Sequence, residues 1–533
     1  MKTVLLLTGK QAYKSLCALH LSNEKFKIYI ERLPINVAAF TSISLLKRHL
    51  PLFITKYNPD LVLISGLSAG NFTELSSEFH IPIVKGTRSL FSLPELFSIL
   101  DEVELSGKHA ADKFLIDKSL ELIEQELRRR AEDQNFFSTN QNFSTLSGLI
   151  IGRDFPIRIF AEIVDATLKD PEIVKQQAKY FLENGADVID LGGSVKRTNP
   201  EGMVQAVEVI RELGAIISID SLNPKEISAG VEAGGEIILS IDFGNKNLLQ
   251  SLSPELVVVL IPTNVKKGIF PANPLERAKK CEELLEESRS NGFEKVLVDP
   301  LLEAFIFPGF TRSLQAYMFF RNRASCPMFA GTGNVTEFFD ADTAGFNSAL
   351  ANIAQELGIV GLLSTEERSA TRYSIRELHL SSKLAFVAKI KESSPKHLGP
   401  YSCFFAKSGQ KADIFEIGDL KLSNIDIPKL ISPRFKKDPQ GSFRISVNHR
   451  KGLIYLVHMF KGKYVQIFQT SDCRTALNFL LDQGLVSELS HAAYLGKELL
   501  KAEICLKLGK EYFQDQEFET SFSLLKKNPP RDF

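Results

Sequence analysis

Acidic and amide residues recur at the ends of apolar runs through the middle of this chain. RIFAEIVD closes on Glu162 and Asp165, ADVIDLGG carries Asp190 ahead of Gly192 and Gly193, and AIISIDS reaches Asp220 and Ser221, with Asn223 close behind. EIILSID supplies Ser240 and Asp242, LVVVLIPTN ends on Thr263 and Asn264, and KVLVDP brings Asp299. PMFAGTGNVTE holds Asn334, Thr336 and Glu337, and IVGLLSTEER ends on Thr365, Glu366, Glu367 and Arg368. Two cations, Lys196 and Arg197, follow the double glycine. A single acid after a strand usually caps the next helix. Acids that close five of eight such runs form an array too regular for capping alone.

The residue types restrict the chemistry. No histidine falls between His109 and His379 and no HExxH occurs, so a zinc-type site, a histidine general base and a serine triad are disfavoured. A carboxylate accepts two parallel N–H bonds from a planar, amidine-like edge. The 2-amino-4-oxo edge of a pterin or a guanine is such a partner, and a carboxamide suits the remaining ring heteroatoms. Lys196 and Arg197, beside the double glycine, are the candidates for an anionic leaving group or phosphorylated tail.

The elements that must position these residues are legible as a rhythm. Between residues 150 and 388, eight short apolar runs alternate with helix-period segments such as PEIVKQQAKYFLENG. That is the length and order of a (β/α)8 TIM barrel, whose chemistry sits where the strands end; a doubly wound open sheet is the alternative. Residues 1–132 read as an N-terminal parallel α/β domain with strands TVLLLTG, FKIYIERL, DLVLISG and IPIVKG, ending in a long amphipathic helix over 108–132. The loops GLSAGNF and KGTRSLFSLP fall at carboxyl ends of its strands, where open sheets bind ligands, but no GxGxxG or Walker sequence marks a nucleotide site. A docking or scaffold role is expected for it. The polar tract at 133–149 reads as a linker, and 389–533 as a C-terminal α+β domain with five short strands, SCFFAK and DIFEIGD among them, before two helices.

Composition adds exclusions. The chain has 533 residues, 44% hydrophobic and 24% charged, with formal net charge +0, which gives no general attraction to nucleic acid or anionic membrane. Its six cysteines form no CxxC pattern and read as reduced thiols. The opening VLLL is too short for a secretory core, and no run reaches the ~20 apolar residues of a spanning helix, so a cytoplasmic location is expected.

GADVIDLGGSVKR resembles the dihydropteroate synthase signature, in which an Asp strand precedes GGEST-R; SIDSLNPKEISAGVEAGGEIILSID and VLVDP are similar to that family's following motifs. The similarity spans roughly residues 150–365 and implies a pterin-binding TIM barrel. It implies that Asp220 and Asp299 hold the pterin ring with Asp190 and Ser240 nearby, and that Arg197, Lys196 and Arg368 serve the diphosphate. There are departures: Asn334 stands where the family has a lysine, Leu239–Ser240 replaces an Asn-Asp pair, and Glu162 replaces an Asn. Asn334 resembles the methyltetrahydrofolate–corrinoid protein methyltransferases, which would make a corrinoid protein the partner. The whole chain resembles archaeal dihydropteroate synthase-related proteins, associated with tetrahydromethanopterin. The expected reaction joins a 6-hydroxymethyl-dihydropterin diphosphate to an arylamine, with no tightly bound cofactor, Mg2+ as a bridging ion on Glu162 or Asp165, and a homodimer as one assembly. A non-catalytic pterin carrier is the remaining alternative.

Overall fold

The computed structural model describes residues 1–19, 21, 24–139, 141–396, 398 and 437–516. The four apolar runs of the first block form β1 (Lys2–Thr8), β2 (Phe26–Arg32), β3 (Leu61–Ile64) and β4 (Ile83–Lys85), parallel in the order β2-β1-β3-β4. The runs are continuous rather than alternating because both sheet faces are covered: Val4 and Leu6 enter one core, Leu5 and Leu7 the other. The helix read over 108–132 spans Asp112–Glu132.

The polar stretch at 133–149 contains a helix, Gln134–Thr139, and β5 (Phe143–Ser144), which pairs antiparallel with β6 (Ile150–Ile151). The hairpin is tied to the amino-terminal end of the barrel. The Ser147 amide donates to Glu236 Oε2 at 2.8 Å, its hydroxyl donates to Oε1, and Arg158 Nε donates to the Ile150 carbonyl at 2.8 Å. Hydrophilic composition here reflects donors that satisfy strand-start acceptors. Glu236→Ala should cost about 0.5–1.5 kcal/mol, the net scale of an intramolecular hydrogen bond, because the Ser147 donors it would release reach solvent. Urea unfolding reads that loss, and faster hydrogen exchange confined to 143–151 locates it.

All eight expected strands form the closed parallel barrel: β7 (Arg158–Ile163), β8 (Val188–Gly192), β9 (Ile216–Asp220), β10 (Ile237–Ile241), β11 (Val257–Leu260), β12 (Val296–Val298), β13 (Met328–Gly331) and β14 (Ile359–Ser364), with β14 returning to β7. Four of the intervening helices start on the same local signal. Asp170, Asn199, Asn223 and Asn273 each accept a backbone N–H from the first turn, and each is followed by a proline that needs no donor partner there.

Alternation along the strands sorts the side chains. Ile159, Ala161, Ile189, Leu191, Ile217 and Ile219 face the helices, whereas Phe160, Val188, Leu239, Leu297 and Phe329 fill the barrel interior. Phe160 and Phe329 meet edge to face, with centroids 4.9 Å apart. The interior is therefore a packed floor, and the next inward positions, Glu162, Asp190, Asp220 and Asp299, lie above it at the carboxyl end.

The C-terminal domain forms an antiparallel sheet, β15 (Ser442–Asn448), β16 (Leu453–Phe460) and β17 (Lys463–Thr470), with helices Cys473–Asp482 and Leu489–Leu508. The expected strands SCFFAK and DIFEIGD lie outside the described residues. This domain is joined to the barrel through Arg372, which donates to the Gly509 carbonyl at 2.8 Å, and Tyr373, whose hydroxyl donates to the Leu506 carbonyl at 2.7 Å. Among the described residues no helix is long and apolar enough to cross a membrane.

Candidate active site at the barrel mouth

A cavity of about 260 Å³ opens above the aromatic floor, and Glu162, Asp220, Ser240, Asp299, Asn334 and Glu337 line it. No lysine, arginine or histidine is among its lining residues. The register of the strands assembles the acids. Glu162 lies opposite Asp190, Asp190 opposite Ser218, and Gly192 opposite Asp220. A Cβ on Gly192 would sit 3.1 Å from Glu162 Oε1, so a side chain there would crowd the cluster.

Glu162, Asp190 and Asp220 each place a carboxylate oxygen within 4.8 Å of the others. Asp190 lies behind the cavity wall. It is fully buried, Oδ1 accepts from the Ser218 hydroxyl at 2.5 Å, and Oδ2 has no partner among the described residues. Charges this close cannot all persist out of water. Burial, followed by the charges of Asp220, Glu337 and Glu367, pushes the Glu162 carboxyl up to about 8. Burial raises Asp220 too, opposed by a hydrogen bond from Ser240, and burial with the charges of Asp220 and Glu162 raises Asp190 well above the usual range.

Asp299 is held from one side. The Tyr317 hydroxyl and the Leu301 amide, at 2.7 Å, both donate to its Oδ1, the Gly331 backbone also bonds the carboxylate, and Asp299 lines the cavity. Burial pushes this carboxyl up to about 6 against those bonds. Ser240 sits at φ 65 where the pairing of β10 with β11 shifts register. A non-glycine residue in the left-handed region is strained by about 1–3 kcal/mol, and the irregularity goes with a side chain on the cavity wall that bonds Asp220. The hydroxyls of Ser364 and Thr365 are buried on the same wall without partners among the described residues, as a wall awaiting a polar ligand would have them.

Other strand-end residues have structural work. Asp242 accepts from the amides of Gly244, Asn245 and Val265 and from the Thr263 hydroxyl, which organises its loop. Asn264 and Asn223 cap the turns that follow them. Ser221 donates to Glu226 at 2.5 Å. Glu366 accepts from Tyr180 at 3.0 Å, and Glu367 pairs with Lys169 at 3.1 Å. Asp165 precedes a 3-10 turn at φ 50 and does not line the cavity. Lys196 and Arg197 are exposed on the loop after β8, and Arg368 pairs with exposed Asp340 at 3.6 Å; the fold brings none of the three onto the cavity wall. Tyr317 and Ser218 escape sequence reading. Tyr317 lies in a helix and Ser218 mid-strand, away from any strand end.

The model of the "Pterin binding enzyme" family matches residues 163–317, that of a family of unknown function (DUF6513) matches 2–88, and the PterinBD-DUF4346 model matches 437–515. The "Uncharacterized protein MJ0107" of Methanocaldococcus jannaschii is 32% identical over 530 residues, covering 96% of this chain and 98% of that protein. Among solved structures, Yersinia pestis dihydropteroate synthase with a pterine-sulfa conjugate is 16% identical, with a TM-score of 0.38, and covers 47% of this chain and 99% of that one. Dihydropteroate synthase from Thermus thermophilus is also 16% identical, with a TM-score of 0.37, over 45% of this chain and 97% of the other. The chain belongs to the family of the M. jannaschii protein, and the pterin binding enzyme model falls on its barrel.

Proposed function

We propose that the barrel binds a reduced pterin and joins its 6-hydroxymethyl diphosphate to an arylamine, as in assembly of a tetrahydromethanopterin- or folate-like cofactor. The observation that carries this reading is the single cavity shared by Asp220, Asp299 and Asn334. Its acid-rich wall suits the N–H edge of the ring and repels phosphate, so the ring enters first and the diphosphate points outward. Lys196 and Arg197, exposed on the loop after β8, are the groups to meet it there. The C–O bond to diphosphate breaks with its electron pair on oxygen, the amine nitrogen attacks the methylene carbon, and the ammonium proton leaves to solvent or diphosphate. Asp220 and Asp299 support the positive charge that develops on the ring, and an amine nucleophile needs no histidine base.

Three close carboxylates, one with an orphaned buried oxygen, fit a hard divalent cation. Glu162, Asp190 and Asp220 would hold it. Magnesium bound there would neutralise the cluster and supply Lewis-acid charge stabilisation.

The cation-free wall also favours a second reading, methyl transfer from a methyl-tetrahydropterin to a corrinoid protein, because that substrate carries no diphosphate. Anaerobic incubation with hydroxymethyl-dihydropterin diphosphate and either p-aminobenzoate or its ribofuranosyl phosphate analogue tests the first. An adduct with either amine supports it, and formation of neither overturns it. Methyl-cobalt formation from methyl-tetrahydropterin in place of an adduct would establish the second, and pterin binding without either reaction would leave a carrier.

A further inference from the structure

The N-terminal sheet has its own cavity, of about 230 Å³, at the carboxyl ends of β1, β3 and β4. Its position follows from topology. The chain leaves β1 for β2 on one side and later places β3 on the other, so the loops diverge between β1 and β3. Open parallel sheets bind ligands in the crevice at such a switch point. Two glycines let the backbone close around it. A Cβ on Gly9 would lie 2.7 Å from the Asn36 carbonyl oxygen, and one on Gly66 2.6 Å from that of Gly86.

The lining defines the ligand. Ala12, Leu16, Leu63 and Leu93 give apolar walls, and among the described lining residues none is acidic and Arg88 alone is cationic. The Arg88 amide donates to both oxygens of Asp112, at 3.2 and 3.0 Å, which fixes the loop. Its guanidinium has no hydrogen bond or ion pair with any described residue.

Several amides of the loops around the slot already have acceptors. The Lys10 and Gln11 amides donate to Ile35 and Asn36 at 2.9 and 3.0 Å, Gly66 to Thr87 at 3.0 Å, Ser68 to Ser65 at 3.0 Å, and Leu67 to Ser65 Oγ at 3.2 Å. The one charged side chain on this apolar slot is a guanidinium, whose planar fork matches a carboxylate. An apolar cavity of ~150 Å³ already holds benzene, so this one admits a substituted ring.

We propose that the N-terminal domain is a binding site for a small aromatic monocarboxylate, seated between β1 and β3 with its acid group on Arg88. The site is separate from the barrel cavity and does not depend on the reaction proposed there.

Calorimetric titration of the full chain with benzoate, 4-methylbenzoate, benzamide and phenyl phosphate tests it. The two carboxylates should bind in the micromolar to low millimolar range, and the amide and the phosphate at least tenfold more weakly. Arg88→Gln should weaken carboxylate binding at least tenfold, Ala12→Phe should abolish it by filling the slot, and Asp299→Asn in the barrel should leave it unchanged. The proposal is overturned if neither carboxylate binds, if phenyl phosphate binds as tightly, if Arg88→Gln binds like the parent, or if Asp299→Asn abolishes the signal.

Discussion

Asp299→Asn should weaken binding of a pterin about 100-fold while the chain stays folded. Tyr317 and Leu301 both donate to Oδ1, so the asparagine amide must keep its carbonyl oxygen on that side. Its NH2 group then takes the place of Oδ2, where a ring N–H would arrive. One charge-assisted hydrogen bond is replaced by two opposed donors. Loss of a hydrogen bond to a charged group is ~1.5–3 kcal/mol, and about 2.7 kcal/mol corresponds to the 100-fold change. Fluorescence titration with a dihydropterin measures the affinity, and a melting temperature within a few degrees of the parent shows that the fold survived. Affinity within threefold of the parent would remove Asp299 from the binding edge. The same residue sets a pH limit. Its carboxyl is pushed up to about 6, so the acceptor form is lost as pH falls below that value, and affinity should fall with it.

Glu162→Gln should remove much of the pH dependence of stability. The folded chain holds the Glu162 proton up to about 8, whereas an unfolded glutamate releases it in the ordinary range near 4.5. An acid with a raised folded-state pKa favours the folded state most at low pH. The parent should therefore lose stability as pH rises from about 5 to about 8 and then level off. The loss is about 2 kcal/mol, discounted because Asp190 and Asp220 titrate together with Glu162. Glutamine carries no charge and should flatten that slope. Thermal melts at pH 5, 6.5 and 8 read the effect. Excess magnesium at pH 8 should raise the parent's melting temperature more than the variant's, if the cluster takes a cation. A parent whose stability is level from pH 5 to 8 would show that the acids are better solvated than their burial implies.

Much of the barrel was legible because its signals are local. Eight apolar runs with helical segments between them have one economical closure, and Asp-Pro or Asn-Pro pairs such as Asn199–Pro200 and Asn223–Pro224 mark where helices begin. The acids at strand ends were visible as a set, but their position alone did not rank them; only the resemblance singled out Asp220 and Asp299. Asp242 and Asp299 occupy similar places in sequence. One spends its oxygens on two amides of its own loop and two donors after the neighbouring strand, while the other faces the cavity. Nothing local to either residue separates them, because the deciding partners lie on neighbouring strands and helices.

The cations show the same limit. Lys196 and Arg197 follow the double glycine in sequence, yet the loop carries them into solvent. The tract at 133–149 has a linker's composition and still pairs as a hairpin against Glu236, since polar residues serve equally for solvation and for satisfying a strand end.

By itself the sequence determined the three-part architecture, the eight strands, and the identity of the acids and Asn334 as the polar array at their ends. Periodicity and turn chemistry are encoded residue by residue. Only the tertiary structure decided which carboxylates share one space. Register placed Glu162 beside Asp190, the fold of the next helix back onto its strand delivered Tyr317 to Asp299, and the strained backbone at Ser240 accompanied its hydroxyl onto the cavity wall. Proximity across strands is a property of closure, and closure is not written in any one segment.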